Sequence, residues 1–377
     1  MKKNFSIESI KKVVVKIGTS ALTDSEGSFS LADLKSVATQ IHELLESGRD
    51  VIIVSSGAIG CGMKTLGLKR RPKELKTLQA CAAIGQGKLM KAYEDLFSSF
   101  DRHTGQVLLT RDAFQDRVRC MNVRNTFHEL LRLNVIPVVN ENDTVSTEEI
   151  KFGDNDTLSV CVSELVDANL LILLSDADGL YINEETREII SCVENAEMVD
   201  DLFKHVFSQR KNVVTAGGMK TKLEAARRAM NSGISTVVMN GKKKGGISQL
   251  MNGESVGTLF FGSQSRRGFK TNWLTNLTQA HGNIRIDQGA YAALLKGGKS
   301  LLPSGVREVE GHFKAGDSVR ISTEDGKTFA RGIVNYSKDD LNKIKGRKTS
   351  EIVSILGSKR EDEVIHRDNF VLVAEQK

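Results

Sequence analysis

Residues Val13–Ser20 read "VVVKIGTS", three β-branched residues, a lysine, an isoleucine and then a glycine before two hydroxyls. An apolar run this short and this rich in valine predicts a buried strand, and the glycine marks its end. The next residues have another period. Leu31, Leu34, Val37, Ala38, Ile41, Leu44 and Leu45 recur at helical spacing, with Ser30 and Asp33 as a cap and Gly48 as the stop. The segment after them, "DVIIVSSGAIG" (Asp50–Gly60), is strand-like again, so the stretch is a β-α-β unit.

The unit recurs. "NVRNTFHELLRLN" predicts a helix before the strand "VIPVVN", "DTLSVCVSELVDAN" a helix before "LLILLSD", and "MKTKLEAARRAMNSG" a helix before "ISTVVMNG". These strands are continuous apolar runs without alternation, the pattern of a parallel sheet covered on both faces. The expected fold class is α/β: a three-layer α/β/α domain with a mainly parallel sheet over about residues 8–260. From Phe261 the sequence turns polar, basic and aperiodic, predicting a linker over 261–281. The short segments "GNIRID", "SLLPSGVREVEG", "DSVRISTEDG" and "FARGIVNYS" then predict a small β-rich barrel over 282–377.

At 377 residues the chain is long enough for both modules. Residues 1–260 balance 33 basic against 33 acidic side chains, so the net charge of +6 falls wholly in the last 117 residues. A solvated surface or a patch facing a polyanion would each account for it. The five cysteines form no C-x-x-C pair and fit idle thiols in a reducing cytoplasm. Only Val13–Val15 come after the basic N-terminus before Lys16, too few for a signal-peptide core, and no apolar run approaches a membrane span.

Ligands of parallel α/β sheets sit at the carboxyl ends of the strands, which directs attention to Lys16–Thr19, Ser55–Ala58, Asn140–Asp143, Gly153–Asp156, Ser175–Asp176 and Gly217–Met219. Glycines behind a strand let backbone N–H groups approach an anion. Lys16 interrupts an apolar strand and is either a solvent-facing lysine or a functional one. "AGGMKTK" (Ala216–Lys222) reads as a glycine pair ahead of a helix with Lys220 and Lys222 in its first turn, where cations oppose the helix dipole unless an outside anion balances them. Phosphate is the economical anion. No G-x-x-x-x-G-K-[ST], G-x-G-x-x-G or protein-kinase motif is present, so phosphoryl transfer here would use separated lysines and backbone amides.

Asp143, Asp154 and Asp156 could bind a cationic amine, coordinate Mg²⁺ or orient the lysines; capping of helices and turns is the plain alternative. None of the seven histidines falls in a glycine-rich motif. That suits a carboxylate acceptor, which is ionised at neutral pH and needs no general base.

Seven motifs, "KIGTSAL", "SSGAIGCG", "QACAAIGQGKLM", "GQVLLTRDAF", "VNENDTV", "IKFGDNDTLS" and "TAGGMKTK", make Val13–Gly262 resemble the amino acid kinase family, and within it the branch that phosphorylates glutamate. The resemblance implies ATP-dependent transfer to the γ-carboxylate of L-glutamate with Mg²⁺, giving L-glutamyl 5-phosphate, the first step of proline biosynthesis. It implies that Lys16 and Lys222 stabilise the transferred group with Asp156 holding them, that Ser56, Asp143, Asp154 and Asn155 bind glutamate, and that Lys16, Ser175, Asp176, Ala216, Gly217, Gly218, Met219, Lys220, Thr221 and Lys222 bind ATP. It implies further that proline inhibits and that the enzyme is a homo-oligomer. Ser175 stands where the family often has threonine, and Ala216 where "TGGM" is usual, so only a backbone contact carries over there. The tail, from "GNIRIDQGAYAALLKGGKSLLPSGV" to "VIHRDNFVLV", resembles a PUA domain, which in RNA-modifying enzymes binds RNA. Two competing readings remain: an RNA-binding protein with the kinase fold as scaffold, and a kinase of this fold acting on another small acid.

Overall fold

The computed structural model describes residues 6–24, 29–146, 155–181, 188–208, 213–263, 271, 273–274, 278–296, 299–359 and 361–373. The chain divides into two compact units, residues 1–113 with 121–269, and 114–120 with 270–377.

In chain order, the elements up to Phe260 are β1 (Lys12–Ile17), α1 (Leu31–Glu46), β2 (Asp50–Ser55), α2 (Ala58–Thr65), α3 (Leu75–Ser98), β3 (His103–Leu109), α4 (Asp112–Gln115), α5 (Arg117–Arg132), β4 (Val135–Glu141), α6 (Asn155–Leu165), β5 (Leu170–Ser175), β6 (Cys192–Val193), α7 (Ala196–Ser208), α8 (Val213–Asn231), β7 (Ser235–Asn240), α9 (Gly246–Met251) and β8 (Thr258–Phe260). The strands form one sheet in the order β3-β4-β2-β1-β5-β7-β8-β6. Each of its pairs is parallel except β7 with β8.

The sheet's period of two decides where the site can form. Val13, Val15 and Ile17 of β1 join Leu34, Val37 and Ile41 of α1 and Leu89, Tyr93 and Phe97 of α3 in one core. Val14 and Lys16 point the other way, toward the face that α6 covers. Lys16 is therefore a buried residue, only 3% exposed, and not a solvent-facing one. The Ser30 hydroxyl accepts from Asp33 N at 3.2 Å to start α1, and Gly48 ends it at φ 79°.

Helices α2 and α3 meet at backbone distance. A Cβ on Gly62 would lie 1.9 Å from Cys81 O, and one on Gly85 1.8 Å from Ala58 O. Only glycine permits this contact, which fixes α2 and α3 as one wall.

The second unit holds β9 (Gly282–Ile286), α10 (Gln288–Leu295), β10 (Val306–Gly311), β11 (Ser318–Ser322), β12 (Thr328–Ile333), α11 (Lys338–Ile344), α12 (Ile352–Leu356) and β13 (Phe370–Leu372). Its sheet runs β10-β9-β11-β12-β13, with only β9 and β11 parallel. Ile284, Ile286, Val319, Ile321 and Tyr336 lie in its core. The four segments expected as strands are strands; the three helices are an addition to the expected β-rich barrel. Much of the expected linker over 261–281 lies outside the described residues.

Candidate active site

Lys16 reaches from β1 to the first turn of α6, where its Nζ lies 2.6 Å from Asp156 Oδ1. Lys222 arrives from α8 and places its Nζ 3.3 Å from Asp156 Oδ2, and Thr221 Oγ1 donates to the same oxygen at 3.1 Å. One fully buried carboxylate thus separates and holds two ammonium groups. Removing a carboxylate in such a place leaves its cations uncompensated, at a cost of about 3–5 kcal/mol.

Gly18 follows β1, and a Cβ there would stand 3.0 Å from Leu174 O and 3.4 Å from Lys16 Nζ. Any side chain would fill the approach to the lysine.

The segment 216–222 differs from its expected form. Helix α8 already begins at Val213, so Gly217 and Gly218 lie inside it and Lys220 and Lys222 stand beyond its first turn. Glycine pairs read as helix breaks because each costs roughly 1 kcal/mol in a helix interior; here the helix continues through them. Balance for Lys222 comes from Asp156 and from Gly218 O, which accepts from its Nζ at 3.2 Å. Lys220 is exposed and lies 3.8 Å from Glu224, a surface pair.

Next to Asp156, Asn155 ties two strand ends, those of β2 and β4, together. Its Nδ2 donates to Ser55 O at 2.9 Å, Ser56 Oγ at 2.9 Å and Asn140 Oδ1 at 3.0 Å. Asn140 in turn donates to Gln86 Oε1 of α3 at 2.9 Å. Beneath them the buried hydroxyls of Ser55 and Tyr93 share a hydrogen bond of 2.8 Å, and burial keeps Tyr93 protonated by pushing its pKa up.

This framework lines a cavity of about 520 Å³. Ser56, Asp143 and Asn155, three of the four expected acceptor-binding residues, line it; the fourth, Asp154, lies outside the described residues. Thr19, Arg71, Gln79 and Glu141 line it as well. Glu141 accepts from Ser146 Oγ at 2.9 Å, and Gln79 Nε2 donates to Ser146 O at 3.0 Å. Glu141 and Gln79 belong to the motifs "VNENDTV" and "QACAAIGQGKLM" but have no role that the motifs alone suggest, whereas Arg71 carries no motif signal.

On the other side of β1, Ser175 ends β5 and donates from Oγ to Asp176 Oδ1 at 3.2 Å. Ser175 Oγ also accepts from Ala177 N at 3.3 Å, and Ser175 O from Gly241 N at 2.8 Å. The expected nucleotide residues Ser175 and Asp176 are thus at a strand end, while Ala216, Gly217, Gly218, Met219, Lys220 and Thr221 share α8 with Lys222.

Among the described residues no cysteine forms a disulfide. Burial pushes the Cys61 and Cys161 thiols up to about 11, so both stay protonated and inert. Among the described residues no helix is long and apolar enough to cross a membrane.

A sheet of this order, with two lysines gripping one carboxylate at its carboxyl edge, defines an amino acid kinase: the model of the amino acid kinase family matches residues 11–240, and the chain belongs to that family. A second model, the PUA domain, matches residues 282–356. Within the family its relatives include glutamate 5-kinases. That of Thermoanaerobacter sp. is 45% identical over 366 residues, covering 96% of this chain and 98% of the relative. That of Nostoc sp. is 46% identical over 378 residues, covering 98% and 100%.

Proposed function

We propose that the protein transfers the γ-phosphoryl group of ATP to the γ-carboxylate of L-glutamate, forming L-glutamyl 5-phosphate, the first step of proline biosynthesis. The observation that carries this reading is the pairing of the Lys16–Asp156–Lys222 cluster with a cavity whose wall bears Glu141 and Asp143. The carboxylate acceptor is already ionised, so the protein's task is to bring two anions together. Lys16 and Lys222 offset charge on the transferred group, and Asp156 keeps them apart and parallel. Ser56, Asp143, Asp154 and Asn155 orient glutamate; Ser175, Asp176 and the Ala216–Lys222 stretch hold the nucleotide.

Among the described residues no three acidic, cysteine or histidine side chains form a metal cage, and both Asp156 oxygens face lysines. Mg²⁺ fits as an ion carried on the ATP phosphates, where it neutralises charge and keeps its waters. A scaffold for an RNA-binding protein would have no use for two buried charges, Lys16 and Asp156, with a third, Lys222, mostly covered beside them, because such charges cost desolvation, which favours the kinase reading. We place the kinase domain at 1–260, a linker at 261–281 and the PUA domain at 282–377, with proline as the expected inhibitor of a cytoplasmic homo-oligomer and RNA as the ligand class to test on the tail.

The decisive experiment offers glutamate, aspartate, acetylglutamate and UMP separately with MgATP, adding hydroxylamine to trap an acyl phosphate. Hydroxamate formation with glutamate alone is expected. ATP consumption with another acid only would overturn the assignment.

A further inference from the structure

The cavity beside Asn155 contains a charge that phosphoryl transfer does not use. Among the described residues its lining carries two carboxylates, Glu141 and Asp143, and one cation, Arg71. Arg71 lies in the connection between α2 and α3 and is exposed. Among the described residues no hydrogen bond or ion pair engages its guanidinium. Met63, Leu75 and Leu78 on the same cavity are apolar, so packing alone does not call for a cation there.

With glutamate as the acceptor, its γ-carboxylate must face Lys16 and Lys222. An ammonium and an α-carboxylate are then left to place. The ammonium is matched by Asp143 and Glu141. The α-carboxylate is repelled by those two groups and is favoured by positive charge on another part of the wall. A guanidinium suits it, because its fork donates two parallel hydrogen bonds to a carboxylate.

We propose that Arg71 binds the α-carboxylate of the acceptor and so determines the preference for an α-amino dicarboxylate over a monocarboxylate. The proposal rests on glutamate being the acceptor. Two analogues separate the charges: glutarate lacks the ammonium, and 4-aminobutyrate lacks the α-carboxylate.

The test measures, on the full-length protein, the KM for glutamate and the inhibition constants of both analogues for wild type, R71M and R71K. R71M is expected to raise the glutamate KM and the glutarate constant about 10-fold to 100-fold, the range of one charge-assisted contact. kcat should fall far less, the 4-aminobutyrate constant should hold, and R71K should recover part of the loss. Equal weakening of all three ligands, or of none, would show that Arg71 does not read the α-carboxylate. Wild-type protein that phosphorylates another acid and ignores glutamate would instead remove the acceptor assignment and this proposal with it, an outcome visible before any variant is made.

Discussion

The two halves of the sheet's carboxyl edge are built differently. On the β2–β4 side, Asn155 bridges Ser55, Ser56 and Asn140, Asn140 reaches α3 through Gln86, and Gly62 and Gly85 lock α2 to α3 at backbone distance. On the β5–β7 side, Ser175 bonds to Asp176 and Ala177, and Asn240 donates to Asp178 at 2.9 Å, contacts confined to adjacent strand ends. Among the described residues the first half is cross-linked between strands and helices, and the second relies on hydroxyls and backbone. Small acids differing by a methylene or a charge can be told apart only by polar groups fixed in advance, whereas a nucleotide offers phosphates that any donor array can hold. Asp156 stands between the halves and serves both.

That division can be broken most severely at Asp156. Asp156→Asn should lower turnover by roughly 30-fold to 1000-fold, corresponding to about 2–4 kcal/mol of transition-state stabilisation, and should also cost about 3–5 kcal/mol of stability because buried Lys16 loses its partner. Steady-state kinetics and denaturant titration read the two losses separately. Near wild-type turnover would detach the carboxylate from the chemistry.

Lys222→Ala comes next. Lys16 still pairs with Asp156 after this change, so the stability loss should be smaller than for Asp156→Asn. Turnover should fall by a similar amount, about 2–4 kcal/mol, with a nearly constant glutamate KM, since the contact strengthens as charge develops on the moving phosphoryl group. Asp143→Asn sharpens the contrast in the opposite way: the KM for glutamate should rise about 10-fold to 100-fold, or roughly 1.5–3 kcal/mol, with turnover largely kept. If both variants altered only the KM for ATP, the acceptor would have to be placed elsewhere.

The smallest effect lies at the outer edge of the cross-linked half. The Thr104 hydroxyl, seconded by its backbone N–H, holds the Glu94 carboxyl down at about 2. A carboxylate with a depressed folded pKa stabilises the protein above its unfolded value of about 4.3 and loses that contribution as pH falls toward 2. The Glu94 side chain is 38% exposed, so solvent screens much of the gain. The stability difference between wild type and Glu94→Gln, followed by denaturant titration, should be full at about pH 6 and shrink from about pH 4 downward. A pH-independent difference would assign it to packing.

The strands were legible because the buried interiors of β1, β2, β5 and β7 have no polar alternation to blur them, and Lys16 was legible because a charge in such a run stands out. Its direction was not, since only the register of β1 between β2 and β5 shows that Lys16 shares a face with α6. The glycine pair misled because local propensity favours a break where α8 continues. Arg71 was invisible for another reason: the approach of Gly62 to Cys81 and of Gly85 to Ala58 brings the α2–α3 wall to the cavity, and no periodicity announces a contact between two helices.

The single carboxylate shared by two lysines also has a meaning in time. Synthesis delivers Lys16 first, Asp156 next and Lys222 last, and β1 can complete its pairing with β5 only after Leu174 has been made. Such long-range parallel pairing is slow compared with local helix formation. A chain interrupted before α8 would hold Lys16 and Asp156 as a neutral pair with nothing left over to draw in a triphosphate. On the proposed roles, the net positive charge at the site arrives only with the third member, so the completed triad, and not the earlier pair, would attract the triphosphate.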